Sequence, residues 1–222
     1  MAAEHQIDEI ILRELFKNQA QCGTLIEVGA AGPEYLSMGS TFRKVGWNVV
    51  AIEPNPAFCA LYREKSIPVL EYACGDRDED DVPFYVIKSI GAQYEGGEVT
   101  YESFSSLGVE GKYLELQQTI TTESNKIRIK LRKLDTLLQE FHPEISRVDV
   151  LSIDVEGHEL AVLRGFSIDY FKPKVIVMEN LFNMDEYGRY MARFNYQKIG
   201  VLGPNEIYIS ESYQKHLCAN VD

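Results

Sequence analysis

Thr24-Leu-Ile-Glu-Val-Gly-Ala-Ala-Gly-Pro33 decides how the chain is read. An apolar run of strand length ends in two glycines three positions apart and then a proline, the residue best tolerated in the first turn of a helix. The expectation is a strand, a tight turn and a helix opening at Pro33. Working forward, Trp47-Asn-Val-Val-Ala-Ile-Glu53 gives a second strand, Pro54-Asn-Pro56 a turn, the residues to 65 a helix, and Val69-Leu-Glu-Tyr-Ala-Cys74 a third strand. Further on, Arg147-Val-Asp-Val-Leu-Ser-Ile-Asp154 and Lys174-Val-Ile-Val-Met-Glu179 read as fourth and fifth strands, with helices over 159–164 and about 185–194 and closing strands over 197–201 and 206–209. Short apolar strands alternating with helices are the pattern of a parallel sheet covered on both faces, so the fold class is α/β.

Working backward, Ile7, Ile10, Ile11 and Leu15 share one face at helical spacing, so residues 8–18 read as an amphipathic helix, docked on the domain or lidding a site. Between 77 and 126 the rhythm is lost among acidic, Gly-rich and Ser/Thr-rich pieces around one strand candidate, 82–87. Regular pattern resumes with the alternating strand 127–131 and a helix over 134–141. The expected division is a helix in 1–22, one domain over 23–210 with an irregular insertion at 77–126, and a tail over 211–222.

With 222 residues, 45% of them hydrophobic, the chain has the core of an ordinary globular domain and buries roughly 70% of its unfolded surface. Lys plus Arg number 22 against 34 Asp plus Glu, a net charge of −12, which repels a phosphate backbone and excludes nucleic acid as the expected partner. Cys22, Cys59, Cys74 and Cys218 form no CxxC pair, and the acidic N-terminus is wrong for a signal peptide. No apolar run has bilayer length, so a cytoplasmic protein is expected, with homo-oligomerisation left open.

In sheets of this kind ligands bind outside the carboxyl ends of the strands, at the switch point beside the first. There Glu27-x-Gly29-x-x-Gly32 overlays the dinucleotide fingerprint GxGxxG, except that glutamate replaces the first glycine. A diphosphate would meet that carboxylate at close range, whereas S-adenosylmethionine has no phosphate and brings an ammonium. The turn Gly29-Ala30-Ala31-Gly32 is therefore read as a cofactor turn. Glu53, at the end of the second strand and followed by Pro54, has the spacing to accept from both ribose hydroxyls, and Asp76 past the third strand is expected at the adenine amino group. Taken singly, each has a plain structural reading as a turn former or cap; the register of all of them favours one nucleoside site.

Asp149-Val-Leu-Ser-Ile-Asp-Val-Glu-Gly-His-Glu-Leu-Ala-Val-Leu-Arg-Gly165 resembles the signature of the FkbM-type methyltransferases, a class I S-adenosylmethionine-dependent family. Val28-Gly-Ala-Ala-Gly-Pro-Glu-Tyr35, Ile52-Glu-Pro-Asn55, Ala73-Cys-Gly-Asp76 and Ser105-Ser-Leu107 are similar to further landmarks of that family in order, as are the segments 131–138 and 173–179. The resemblance implies a Rossmann-like, mostly parallel seven-stranded sheet with helices on both faces. It also implies methyl transfer to a hydroxyl of a sugar, glycan or natural product, with Ser105 on the cofactor side. Two positions depart from the family pattern, which usually has aspartate where Glu27 stands and commonly lysine where Ser152 stands.

Methyl transfer from a sulfonium is an in-line displacement that needs an aligned acceptor oxygen and a base. Asp154, Glu156 and His158 fall at the strand-to-helix turn, with Glu179 ending the neighbouring strand, and all four are expected on the acceptor side. His158 is a candidate base, with a capping role as its alternative. Asp154, Glu156 and Glu179 have the hard oxygens for Mg2+ and a diol, but the reading adopted is metal-free, with Asp154 at the cofactor's methionine end and Glu156 fixing the turn. Glu159 suits a first helical turn. Asp76-x-Asp78-x-Asp80 imitates a calcium loop but lacks its glycine and final glutamate, and Pro173 spoils the Tyr170-x-x-x-Lys174 dehydrogenase spacing. Gly91, Gly96 and Gly97 have no strand and helix to make a phosphate loop. The rival readings are a nicotinamide-dependent oxidoreductase or epimerase, and a catalytically silent cofactor-binding module.

Overall fold

In a computed structural model of the protein the described residues are 3–17, 23–34, 36–89, 93–94, 97–98 and 104–219. Asn18, Cys22, Tyr35, Gly91 and Gly96, all read above, lie outside them. A 3-10 turn at Glu4–Gln6 leads into α1 (Ile7–Ile10), which continues in wider turns over Ile11–Leu15. This segment buries Ile7, Ile11, Leu12 and Phe16 against Leu25, Phe42, Trp47 and Val177. Its Asp8, fully buried, accepts from Thr41 Oγ1 at 2.5 Å and from the Ala3 N–H at 3.2 Å. The N-terminal helix is thus docked through both apolar surface and a buried carboxylate.

The elements that follow are β1 (Thr24–Val28), α2 (Met38–Lys44), β2 (Asn48–Ile52), α3 (Pro56–Glu64), β3 (Ala73–Cys74) and β4 (Glu79–Ser89). Two short pieces, β5 (Gln93–Tyr94) and β6 (Gly97–Glu98), precede α4 (Gly111–Ile120), β7 (Thr121–Arg132) and α5 (Leu134–Phe141). The chain closes with β8 (Val150–Ile153), α6 (Glu159–Arg164), α7 (Ile168–Phe171), β9 (Val175–Glu179), α8 (Asp185–Ala192), β10 (Tyr196–Leu202), β11 (Asn205–Ser210) and α9 (Glu211–Ala219). Residues 211–219, expected as a tail, are helical, and Tyr213 there donates to the Leu15 carbonyl at 2.7 Å.

The main sheet runs β10-β11-β9-β8-β1-β2, with β2, β1, β8 and β9 mutually parallel and β11 antiparallel to both of its neighbours, β9 and β10. It is an α/β, Rossmann-like sheet with six strands where seven were expected. The third strand read at 69–74 splits. Leu70 adds one bridge to the β2 edge, its N–H donating to Ala51 O and its carbonyl accepting from Glu53 N. Ala73 and Cys74 then leave to pair with Leu131 and Arg132 in a second sheet, β3-β7-β4. Alternation along the strands feeds both faces: Ile26, Leu151 and Ile176 pack with α5 to α8, while Leu25, Val150 and Val175 face the N-terminal side. Each such fully buried side chain is worth about 1.5–3 kcal/mol.

The helix expected at Pro33 begins instead at Met38. Glu27, buried at the end of β1, explains the shift. Its Oε1 accepts the Met38 N–H at 2.6 Å, and its Oε2 accepts the Gly39 N–H at 3.1 Å and the Ser37 hydroxyl at 3.0 Å. A helix starts where its orphan amides find an acceptor.

Candidate active site

Four parallel strands end on one side of the sheet, and the residues just past them line a single cleft: Gly29 after β1, Glu53 and Pro54 after β2, Asp154 after β8, and Glu179 at the end of β9. This is the crevice beside the switch point at which β1 has β2 on one side and β8 on the other. Gly29 is required twice over. It sits at φ +80, and a Cβ there would collide with the Asp154 carbonyl, whose own N–H donates to Val28 O at 3.0 Å. The first and fourth strand ends therefore meet backbone to backbone, and the Asp154 side chain opens into the cleft.

Glu53 is held by the loops around it, with Oε2 accepting from Ala31 N at 2.9 Å and Oε1 from Asn55 N at 2.7 Å. Asn55 in turn caps α3 through Ala57 N. Burial pushes the Glu53 carboxyl up to about 8, with the nearby Glu27 adding, and burial pushes Glu27 up to about 7 against the pull of Arg43 and its three donors. Both values are raised from 4.5. The folded chain therefore holds protons that the unfolded chain releases, and the stability this contributes is full below about pH 4.5 and is lost as pH rises through 7 to 8. The thermal midpoint is expected to fall between pH 5 and 8.5, with a shallower slope in Glu53→Gln; a midpoint that rises over that window contradicts this account.

The β8 turn carries the other expected residues. Asp154, Glu156 and Glu179 each bring a carboxylate oxygen within 4.8 Å of the others, the last two buried. Such a triangle has the donor chemistry and spacing for a divalent ion, and equally for gripping and deprotonating a hydroxyl. Glu156 and Gly157 adopt left-handed conformations, φ 57 and 94. Glu159, fully buried, folds back over them: its Oε1 accepts from Val155 N and Gly157 N, both at 3.1 Å, and its Oε2 from the Tyr187 hydroxyl at 2.6 Å. Its part is to tie the turn, beyond the dipole role read from position alone. His158 Nε2 lies 2.6 Å from Gly108 O, and a carbonyl only accepts, so this nitrogen carries a proton and ties the turn to the insertion. Only Nδ1 of that ring is left to take a proton.

Not every expected residue comes to the cleft. Asp76 lies on a neighbouring face with Gly75, Arg77 and Val82, in ion-pair range of Arg77 and Arg164, because β3 turns away toward β7. Asp76 is thus not among the residues that line the cleft itself. Glu27 lines a small side chamber with Asp154 and Asn205, its oxygens committed to α2. Ala30 and Gly32 shape the turn without lining the cleft, whereas Ser105 does line it. The remaining acidic residues of the calcium-like loop are engaged locally, Asp78 with Lys133 N and Thr136, Asp80 with Arg132.

Other walls were not read from the sequence. Phe58, Tyr72 and Cys74 line the β2 side of the cleft, and Phe84, Phe104 and Leu107 reach over it from the second sheet and insertion. Tyr113 of α4 was also missed. Its hydroxyl donates to Glu179 Oε2 at 3.4 Å and its ring lies flush against Gly157, where a Cβ would approach to 3.0 Å. The usable signal for Phe58 was an aromatic two residues past a Pro at a helix start; nothing local marks Tyr113.

The Methyltransferase FkbM domain model matches residues 21–199. Methyltransferase sdnD of Sordaria araneosa is 34% identical over 53 residues, 21% of this chain and 20% of that protein. A crystal structure of methyltransferase FkbM from Methylobacillus flagellatus KT shares the fold, with a TM-score of 0.51 and 15% identity over 85% of this chain and 43% of that one. The chain thus spans less than half the length of these relatives. Among the described residues no helix is long and apolar enough to cross a membrane.

Proposed function

The chain belongs to the FkbM methyltransferase family, and from that premise we propose that it moves a methyl group from S-adenosylmethionine to a hydroxyl oxygen of a sugar, glycan or natural-product acceptor. The observation that carries the cofactor reading is the donor set of the cleft. It is lined by Glu53, Asp154, Glu156 and Glu179 and by no Lys or Arg. All 22 Lys and Arg residues of the sequence fall among the described residues, so no undescribed segment supplies one. A dinucleotide's diphosphate docks on helix N-terminal amides, and here those of Met38 and Gly39 are already taken by Glu27. A nucleoside with a zwitterionic tail and a sulfonium suits such walls.

Glu53 would take the ribose hydroxyls with its remaining lone pairs, while Phe58 and Tyr72 offer apolar faces to the base. The turn after β1, with Gly29 and Ala31 in the cleft wall, would take the amino-acid tail. When bound, S-adenosylmethionine supplies an electrophilic methyl group whose departure leaves a neutral thioether. The protein's tasks are to align the acceptor oxygen, exclude water and remove one proton. Asp154, exposed to the cleft between the two buried carboxylates, is assigned the proton; Glu156 and Glu179 orient the acceptor; His158 anchors the turn through Gly108. The same oxygen triangle fits Mg2+, which would grip a diol. The metal-free assignment is retained because Asp154 can itself take the hydroxyl proton, with Glu156 and Glu179 beside it.

S-adenosylhomocysteine at about 100 times its Kd is expected to raise the thermal midpoint by about 5–10 °C, since a ligand that binds only the folded state adds about 2.7 kcal/mol. NAD at the same concentration is expected to leave the midpoint unmoved. The opposite ranking would overturn the assignment and favour the oxidoreductase reading.

A further inference from the structure

A second cavity opens beside the cleft and meets it along Leu107, Glu156 and His158. It is a groove of about 850 Å³ walled by Tyr85, Tyr113, Phe182 and Met184. Tyr113 and Phe182 meet edge to face at 4.7 Å and form a rigid aromatic corner directly outside the carboxylate triangle. A molecule lying in the groove would present an atom to Glu156 while resting an apolar face on the rings. The groove carries Glu110 and Glu156 against one cation, Lys112, whose Nζ is 5.8 Å from the Phe182 ring centroid. Lys126 has its Nζ 5.6 Å from the centroid of the Tyr85 ring and is not part of the lining.

We infer that this groove seats the acceptor, and that the acceptor is an uncharged or cationic hydroxyl compound with an apolar face; phosphorylated and nucleotide-activated sugars are rejected. The inference rests on the methyltransferase reading above. It follows from sign and distance: a phosphate carried into the groove would bring up to two negative charges toward a triangle of three carboxylates in a partly dry site, with one flexible cation to offset them. An apolar or sugar ring face gains from the aromatic walls at no such cost. The reaction that supplies this substrate is therefore one that has already discharged its nucleotide or phosphate, such as a completed glycosyl transfer.

The test uses three probes on one scaffold: 4-nitrophenyl β-glucopyranoside, its 2-amino-2-deoxy analogue and its 6-phosphate. Each is titrated in EDTA into the full chain saturated with S-adenosylhomocysteine. The neutral and amino probes are expected to bind at least about tenfold more tightly than the phosphate. Phe182→Ala is expected to weaken the neutral probe severalfold, and Glu110→Lys, at an exposed rim position, to improve the phosphate selectively. Equal or tighter binding of the phosphate form, or no binding of any probe, would overturn the inference. Failure of S-adenosylhomocysteine itself to bind would instead overturn the reading on which it rests.

Discussion

Asp154→Asn is expected to lower kcat by about 10²- to 10³-fold, in the range set by loss of a positioned general base, while the Kd for S-adenosylhomocysteine changes less than about tenfold. The backbone at this position is fixed independently of the carboxylate, by the Asp154 N–H on Val28 O and by the contact of its carbonyl with Gly29. The amide is nearly isosteric, so the turn and the cleft survive the exchange. What disappears is one negative charge and one proton acceptor at the only cleft-exposed corner of the triangle. The measurement is kcat and KM for any turned-over acceptor, beside calorimetric titration of S-adenosylhomocysteine. Turnover within about threefold of the parent protein would move the proton to another group, and a collapse of cofactor affinity with unchanged kcat would make Asp154 a cofactor ligand alone.

The readable part of this site was its set of strand ends. Glu53 and Asp154 follow β2 and β8 directly and Glu179 ends β9, and each strand announces itself by a local run of β-branched and apolar residues. A residue past such a run is at the carboxyl edge whatever the rest of the chain does. The sequence is silent where a side chain's partner is distant or a strand divides. Nothing at residue 27 says that a helix eleven positions later uses its oxygens. Reading 69–74 as one continuous strand carries Asp76 to the cleft, whereas the chain changes sheets between Leu70 and Ala73. Tyr113 meets Glu179 across 66 residues and Tyr187 meets Glu159 across 28, separations over which periodicity is silent. The insertion, irregular as text, supplies Leu107 to both cavities and Gly108 and Tyr113 to the groove.

Glu159→Ala is expected to destabilise the fold by about 3 kcal/mol or more, because it leaves two backbone donors and one phenol without their acceptor in a dry site. For a chain of this length that is a fall in the thermal midpoint of roughly 6–12 °C. Burial raises the Glu159 carboxyl, and its three donors pull the other way, so the group is stabilised by hydrogen bonding more than by charge. That balance separates its role from mere space filling. Glu159→Gln keeps a carbonyl oxygen for Val155 N and Gly157 N and turns its amide toward the Tyr187 oxygen, which can accept as well as donate. It should recover most of the stability, with Tyr187→Phe falling between the two. The kinetic consequence follows from the strained conformation at Glu156, φ 57, which persists only while the turn is tied. Once released, the Glu156 carboxylate leaves the triangle, so Glu159→Ala should lose kcat at least tenfold with KM for the cofactor little changed, and the Gln variant should restore kcat along with the midpoint. If Ala and Gln variants match in both midpoint and kcat, the tie has no part in holding the site.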